Sequence, residues 1–124
     1  MLPPRLSSEI ELLREAHQKI DVVEEGDMIN LVIRDFPTSP LFNRPTTTLL
    51  VRVPRAYPDA GVDMFWTDVE LTLADGSIPS AGDSIEQYSG RSWRRFSWHH
   101  GGWNPNLHSL RTYLVFVRRR FNVR

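Results

Sequence analysis

Residues 93–105 read WRRFSWHHGGWNP and hold three of the chain's four tryptophans and two of its four histidines. This run constrains the fold more than any other, because a soluble domain must bury rings of that size. Here they share thirteen positions with Arg94, Arg95, His99, His100 and the flexible pair Gly101-Gly102. The run is therefore either a packed joint or a site. Read as a strand, it puts Phe96 and Trp98 on one face and Trp93, Arg95 and Ser97 on the other.

The residues after the run read as a helix. Asn104 suits an N-cap and Pro105 the first helical position. Leu107, Leu110, Leu114, Val117 and Phe121 repeat at the 3-4 spacing of a buried stripe. Arg118, Arg119 and Arg120 complement the dipole at the C-terminal end. Near the start of the chain, Ser8-Glu9-Ile10-Glu11 fits a capping box and predicts a helix from Ser8 to about Lys19. Ile10, Leu13 and His17 would share one face, with Leu12, Ala16 and Ile20 beside them.

Between the helices the pattern is that of strands. Asp21–Val23 and Met28–Ile33 flank Glu25-Gly26-Asp27 and predict a hairpin. Thr46–Val53 is the strongest strand, Met64–Thr67 and Val69–Leu73 read as short ones, and Asp75-Gly76 marks a turn. Residues 77–92 read as a long loop. The expected architecture is α+β: an N-terminal helix, an antiparallel meander of three to four strands, a long irregular segment and a C-terminal helix. All of it forms one domain over residues 1–124.

Composition narrows the function. The chain has no cysteine, which removes disulfides, thiolate metal ligands and a thiol nucleophile. It has no apolar run long enough to span a membrane, and its N-terminus is neither apolar enough for a signal nor poor enough in acids for a transit peptide. A cytoplasmic location is expected, with no membrane partner. The net charge of zero hides a division. Residues 1–90 hold all 15 acids and 7 bases, whereas residues 91–124 hold 8 arginines and no acid. Either the two parts neutralise each other across the fold, or the arginines face an acidic partner.

Two local patterns resemble the ubiquitin-conjugating (E2, or UBC) fold. One is Tyr57-Pro58 followed by Met64-Phe65-Trp66-Thr67, similar to the Tyr-Pro turn of E2 proteins and the short strand ending in Thr after it. The other is Trp103-Asn104-Pro105-Asn106-Leu107, similar to the Trp-Ser-Pro start of the helix that follows the E2 active site. YPDAGVDMFW from Tyr57, SWHH from Ser97 and LRTYL at 110–114 resemble the prokaryotic E2 family E more closely still. The resemblance implies a UBC-like fold, with Tyr57, Pro58, Thr67, Trp103, Asn104 and Pro105 as scaffold. It also implies a place in a bacterial ubiquitin-like modification system. Its partners there would be a ubiquitin-like protein, an E1-like adenylating enzyme or another E2.

The departures are as informative. E2 enzymes carry a thioester-forming cysteine shortly before that Trp, and a His-Pro-Asn motif before the cysteine. This chain has neither, and 46 positions separate Tyr57 from Trp103, more than in E2 enzymes. The active-site region is replaced and enlarged, so the resemblance implies a non-catalytic, E2-like binding protein, and no catalytic residue carries over.

Other chemistry has candidates in the same run. Ser92 or Ser97 with His99 or His100 would serve as nucleophile and base for an oxyester in place of a thioester; the bland alternative is a serine in a turn. No metal or other cofactor is expected: adjacent histidines on a strand point to opposite faces, and ligand spacing is missing. The rings and arginines would also suit stacking on nucleic acid, but no nucleic-acid motif is visible and core packing is the simpler account. Arg91, Arg94, Arg95, Arg118 and Arg119 form the candidate partner-binding set.

Overall fold

Gly26, in the left-handed region at φ 62°, turns the chain between β1 (Lys19–Glu25) and β2 (Met28–Pro37). This is the expected hairpin, in register from Lys19 opposite Arg34 to Glu25 opposite Met28. The computed structural model describes residues 2–123. β3 (Thr46–Pro54) pairs with β2, and β4 (Phe65–Thr67) with β3, both antiparallel. The strand expected at 69–73 is absent, and only Leu73 makes a bridge there, to Phe42.

The expected loop at 77–92 is corrected by the structure. It contains β5 (Ser84–Tyr88), which forms a hairpin with β6 (Arg91–Phe96) around Gly90 at φ 77°. β6 pairs with β4, so the sheet has six strands in the order β1-β2-β3-β4-β6-β5 rather than three to four. Gly, Pro and Ser around residues 76–82 masked the strand signal, because the hairpin's pairing partners lie in the aromatic run itself.

Alternation along the strands gives the sheet two apolar faces. Ile29, Leu31, Ile33, Leu49, Val51, Val53, Phe65 and Phe96 belong to the main core shared with the helices. Leu50, Trp66 and Trp93 form a separate buried cluster on the opposite face. The α+β class is as expected, and both helices contribute to one core.

Both helices start elsewhere than the sequence suggests. α1 (Pro4–Glu15) has Pro3 as its N-cap, which puts Ser8 inside the helix and removes the expected capping box. Leu6 and Ile10 are the residues it buries, and His17 lies beyond it at φ 71°. α2 (Leu110–Arg120) begins at Ser109, where a true capping box forms with Thr112. Asn104 instead opens a separate turn: its Oδ1 accepts from the Asn106 N–H (2.9 Å), and its carbonyl accepts from the Leu107 and His108 N–H groups. Leu107 is therefore outside the buried stripe and 71% exposed. Leu110, Leu114, Val117 and Phe121 are buried as the spacing predicts, with Tyr113 added.

Candidate functional site

Glu9 of α1 ties together the two patterns that carry the family resemblance. Its Oε1 accepts from Tyr57 Oη (2.5 Å) and from the backbone N–H of Leu110 (2.9 Å). That N–H is one of the donors a helix start leaves unmet, so α1 caps α2 with a carboxylate from outside. Arg5 pairs with Glu9 Oε2 at 2.6 Å and donates to the carbonyls of Pro105 (2.7 Å) and His108. Burial first, and then the Glu9 hydrogen bond, push the Tyr57 hydroxyl's pKa well above its ordinary value.

The Tyr57–Pro58 peptide is cis, and the Pro58 carbonyl accepts from Trp103 Nε1 at 2.8 Å. The Trp103 ring lies 5.7 Å from that of Tyr57 and directly over Gly61. A Cβ at Gly61 would stand 2.2 Å from the ring, so only glycine allows this approach. Tyr57, Pro58, Trp103, Asn104 and Pro105 thus meet in one joint. Thr67 is fully buried on β4, and its hydroxyl donates to the Asp68 carbonyl.

The aromatic run fills space instead of lining a cleft. Trp93 and Phe96 are fully buried and Trp98 nearly so. Phe96 stacks on Phe65 at 5.2 Å with planes 6° apart, and touches Trp98 at 5.2 Å. Each such side chain contributes about 1.5–3 kcal/mol by leaving water. His100 packs among His108, Phe116 and Trp103, its ring 4.6 Å from that of His108. Its Nδ1 lies 2.9 Å from the Gly101 carbonyl, which requires that nitrogen to donate. His108 has the opposite arrangement, since its Nδ1 accepts from the Asn104 N–H at 2.9 Å. His99 is exposed and meets both carboxylate oxygens of Asp63 at 2.9 Å.

The candidate nucleophiles stand apart from these bases. Ser97 Oγ accepts from Arg95 Nε at 3.1 Å. Ser92 sits on β6 opposite Gln87. Among the described residues, neither hydroxyl hydrogen-bonds to a histidine, and no three metal-ligating side chains cluster. No described helix is long and apolar enough to cross a membrane.

The candidate arginines do not form one surface. Arg94 is 7% exposed and donates to the carbonyls of Gly82 and Val69, pinning the 69–82 connection over β6. Arg95 pairs with Glu86 at 2.7 Å. Arg91 lies 3.9 Å over the Trp93 ring and pairs with Asp68 at 2.7 Å. Burial pushes the Asp68 carboxyl up, but the Thr48 N–H, Arg91 and Thr47 outweigh it and hold the group below its ordinary pKa. Arg118 and Arg119 are exposed on α2, across the sheet from Arg91 and Arg95. Of the arginines in this set, Arg91 and Arg95 each meet an acid of the first part of the chain at the sheet, Arg94 is buried against carbonyls, and Arg118 and Arg119 on α2 have no acid partner among the described residues.

The joint of a Tyr-Pro turn with a Trp-Asn-Pro turn agrees with a family-model match to Prokaryotic E2 family E over residues 6–124. The chain belongs to that family. No curated protein and no solved structure matches it. In this family E protein the segment before Trp103 holds no cysteine and is a packed aromatic layer. The supporting residues Arg5, Glu9, Asp63, Asp68 and Glu86 were not legible as a set. Each is an ordinary surface acid or base in sequence, and most of the contacts that matter span long stretches of chain, as from Glu9 to Tyr57 and Leu110, Asp63 to His99 and Asp68 to Arg91.

Proposed function

We propose that the protein is a non-catalytic, E2-like binding module of a bacterial ubiquitin-like modification system. Its partner would be a ubiquitin-like protein, an E1-like adenylating enzyme or an active E2. The observation that carries this reading is the state of the segment where an E2 active site belongs. The chain is a family E protein without a cysteine. There Trp93, Phe96 and Trp98 are packed away, Ser97 is held by Arg95 and His100 lies in an aromatic cluster. A scaffold retained without a nucleophile is suited to presenting a surface. Titration against the ubiquitin-like protein, E1-like enzyme and E2 of the same system tests the reading. Saturable binding to one of them, with no covalent adduct, is expected. No binding to any would overturn it. A hydroxylamine-sensitive adduct lost in a Ser92→Ala/Ser97→Ala variant would replace it with an oxyester carrier.

A further inference from the structure

We propose that the groove between α1 and α2 receives an acidic amphipathic helix of a partner protein. The inference rests on the reading of the chain as a binding module and supplies the chemistry of what it binds.

The groove has a volume of about 610 Å³. Leu12 and Leu13 of α1 and Ala16 just past its end line one wall, and Leu12 is 64% exposed. Leu114 and Val115 line the other, with Val115 43% exposed. Leu114 belongs to the buried stripe of α2, so the apolar surface left uncovered is chiefly that of Leu12 on one wall and Val115 on the other. Leaving these large groups in water forfeits burial that a third helix would recover.

Charge selects the occupant. Arg111 and Arg118 flank the apolar wall of α2, seven residues and about 10 Å apart along the axis. Neither has a side-chain partner among the described residues. Glu9 also lines the groove, but its oxygens are held by Arg5, Tyr57 and the Leu110 N–H. The unanswered charge of the groove is therefore positive. Two arginines two turns apart match carboxylates seven residues apart on a helix lying alongside. Rows of side chains at three- and four-residue spacing accept the ridges of another helix. An extended peptide would need a free sheet edge, which helical walls do not offer.

The test uses the intact chain and a fluorescein-labelled peptide of about 18 residues. The peptide carries leucines at i, i+4, i+7 and i+11 and two glutamates seven positions apart beside that stripe. Anisotropy titration should show saturable binding that weakens about tenfold in an Arg111→Glu/Arg118→Glu variant. A Val115→Asp variant should weaken it independently of those charges. All three positions face solvent, and circular dichroism will verify the fold. A scrambled peptide of equal composition should bind poorly, and added salt should weaken the intact pair. Equal binding of the scrambled peptide, or no loss in either variant, would overturn the inference. So would a concentration-dependent dimer of the chain alone that both variants abolish, because a second copy would then fill the groove. If the peptide fails while a conjugation-system protein still binds, and the variants leave that binding unchanged, this inference falls alone. If neither binds, the proposed function falls with it.

Discussion

Replacing Gly61 with alanine tests the joint at its tightest point. The added methyl would stand 2.2 Å from two atoms of the Trp103 ring and 2.8 Å from its Cβ. Carbon atoms rest about 3.5–4.0 Å apart, so the overlap exceeds about 1 Å and something must move. The ring is held on both sides: its Nε1 donates to the Pro58 carbonyl at 2.8 Å, and it packs 5.7 Å from Tyr57. Displacing it forfeits a hydrogen bond of about 1 kcal/mol and an aromatic contact of about 0.5–1.5 kcal/mol. Overpacking adds about 1 kcal/mol or more. The expected loss is about 3 kcal/mol, or roughly 10 °C in Tm for a domain of this size. Urea unfolding followed by circular dichroism measures it. The control is the double-mutant cycle with Trp103→Gly, in which Gly61→Ala should cost less than about 0.5 kcal/mol because both the ring and its Cβ are gone. A Gly61→Ala protein as stable as the parent, or an equal cost with and without the Trp103 side chain, would rule out the clash as the cause.

The same geometry fixes two further outcomes. Leu107→Ala should change stability by less than about 0.5 kcal/mol, because the side chain is in solvent, whereas Leu110→Ala should cost about 2–5 kcal/mol; equal costs would restore the longer helix that the leucine spacing suggests. Asp68→Asn should cost about 1–2 kcal/mol near neutrality, since the carboxylate accepts from Thr48 N–H (2.8 Å), Thr47 Oγ1 (3.0 Å) and Arg91 (2.7 Å). The Asp68 pKa is lowered in the folded state, so its contribution is fully present above the unfolded value of about 3.9 and is lost as pH falls through the folded value. The gap between parent and variant urea midpoints should therefore close in strong acid, and a gap that persisted unchanged would refute the assignment.

The sites most open to sequence reading were those decided within a few residues. Gly26 between two β-branched runs specifies the first hairpin, and Leu110, Leu114, Val117 and Phe121 specify the buried face of α2. The alternation that separates Trp93 from Phe96 was also legible, and the structure gives each a separate cluster. Misreadings arose where two local signals competed. Asn104-Pro105 is a sound helix start, yet the helix begins five residues later at Ser109-Leu110-Arg111-Thr112. Arg5 draws the Pro105 and His108 carbonyls toward α1, and Glu9 receives the Leu110 N–H instead. Ser8-Glu9-Ile10-Glu11 fits a capping box, but Pro3 and Pro4 start the helix earlier and bury Leu6. The β5–β6 hairpin leaves little trace in the sequence because β5 is an edge strand whose partly buried positions are Ser84, Glu86 and Tyr88 while Ile85 faces solvent, the reverse of an apolar-in alternation.

The α+β class, the two-faced alternation of the aromatic run, the lack of a thiol and the pair of turns that mark an E2-like chain can all be read along the chain. These depend on side-chain size, short-range periodicity and composition, which a linear chain carries explicitly. Which of its charges are free depends on how the chain folds. Arg91, Arg94, Arg95, Arg118 and Arg119 are equivalent in sequence, yet Arg91 answers Asp68, Arg94 answers two carbonyls and Arg95 answers Glu86, while Arg118 and Arg119 remain exposed on α2. Those partners lie from 9 to 25 positions away. An ion pair depends on distance through space, and the pairing of β6 with β4 and β5 in the six-stranded sheet is what sets Arg91 near Asp68 and Arg95 near Glu86.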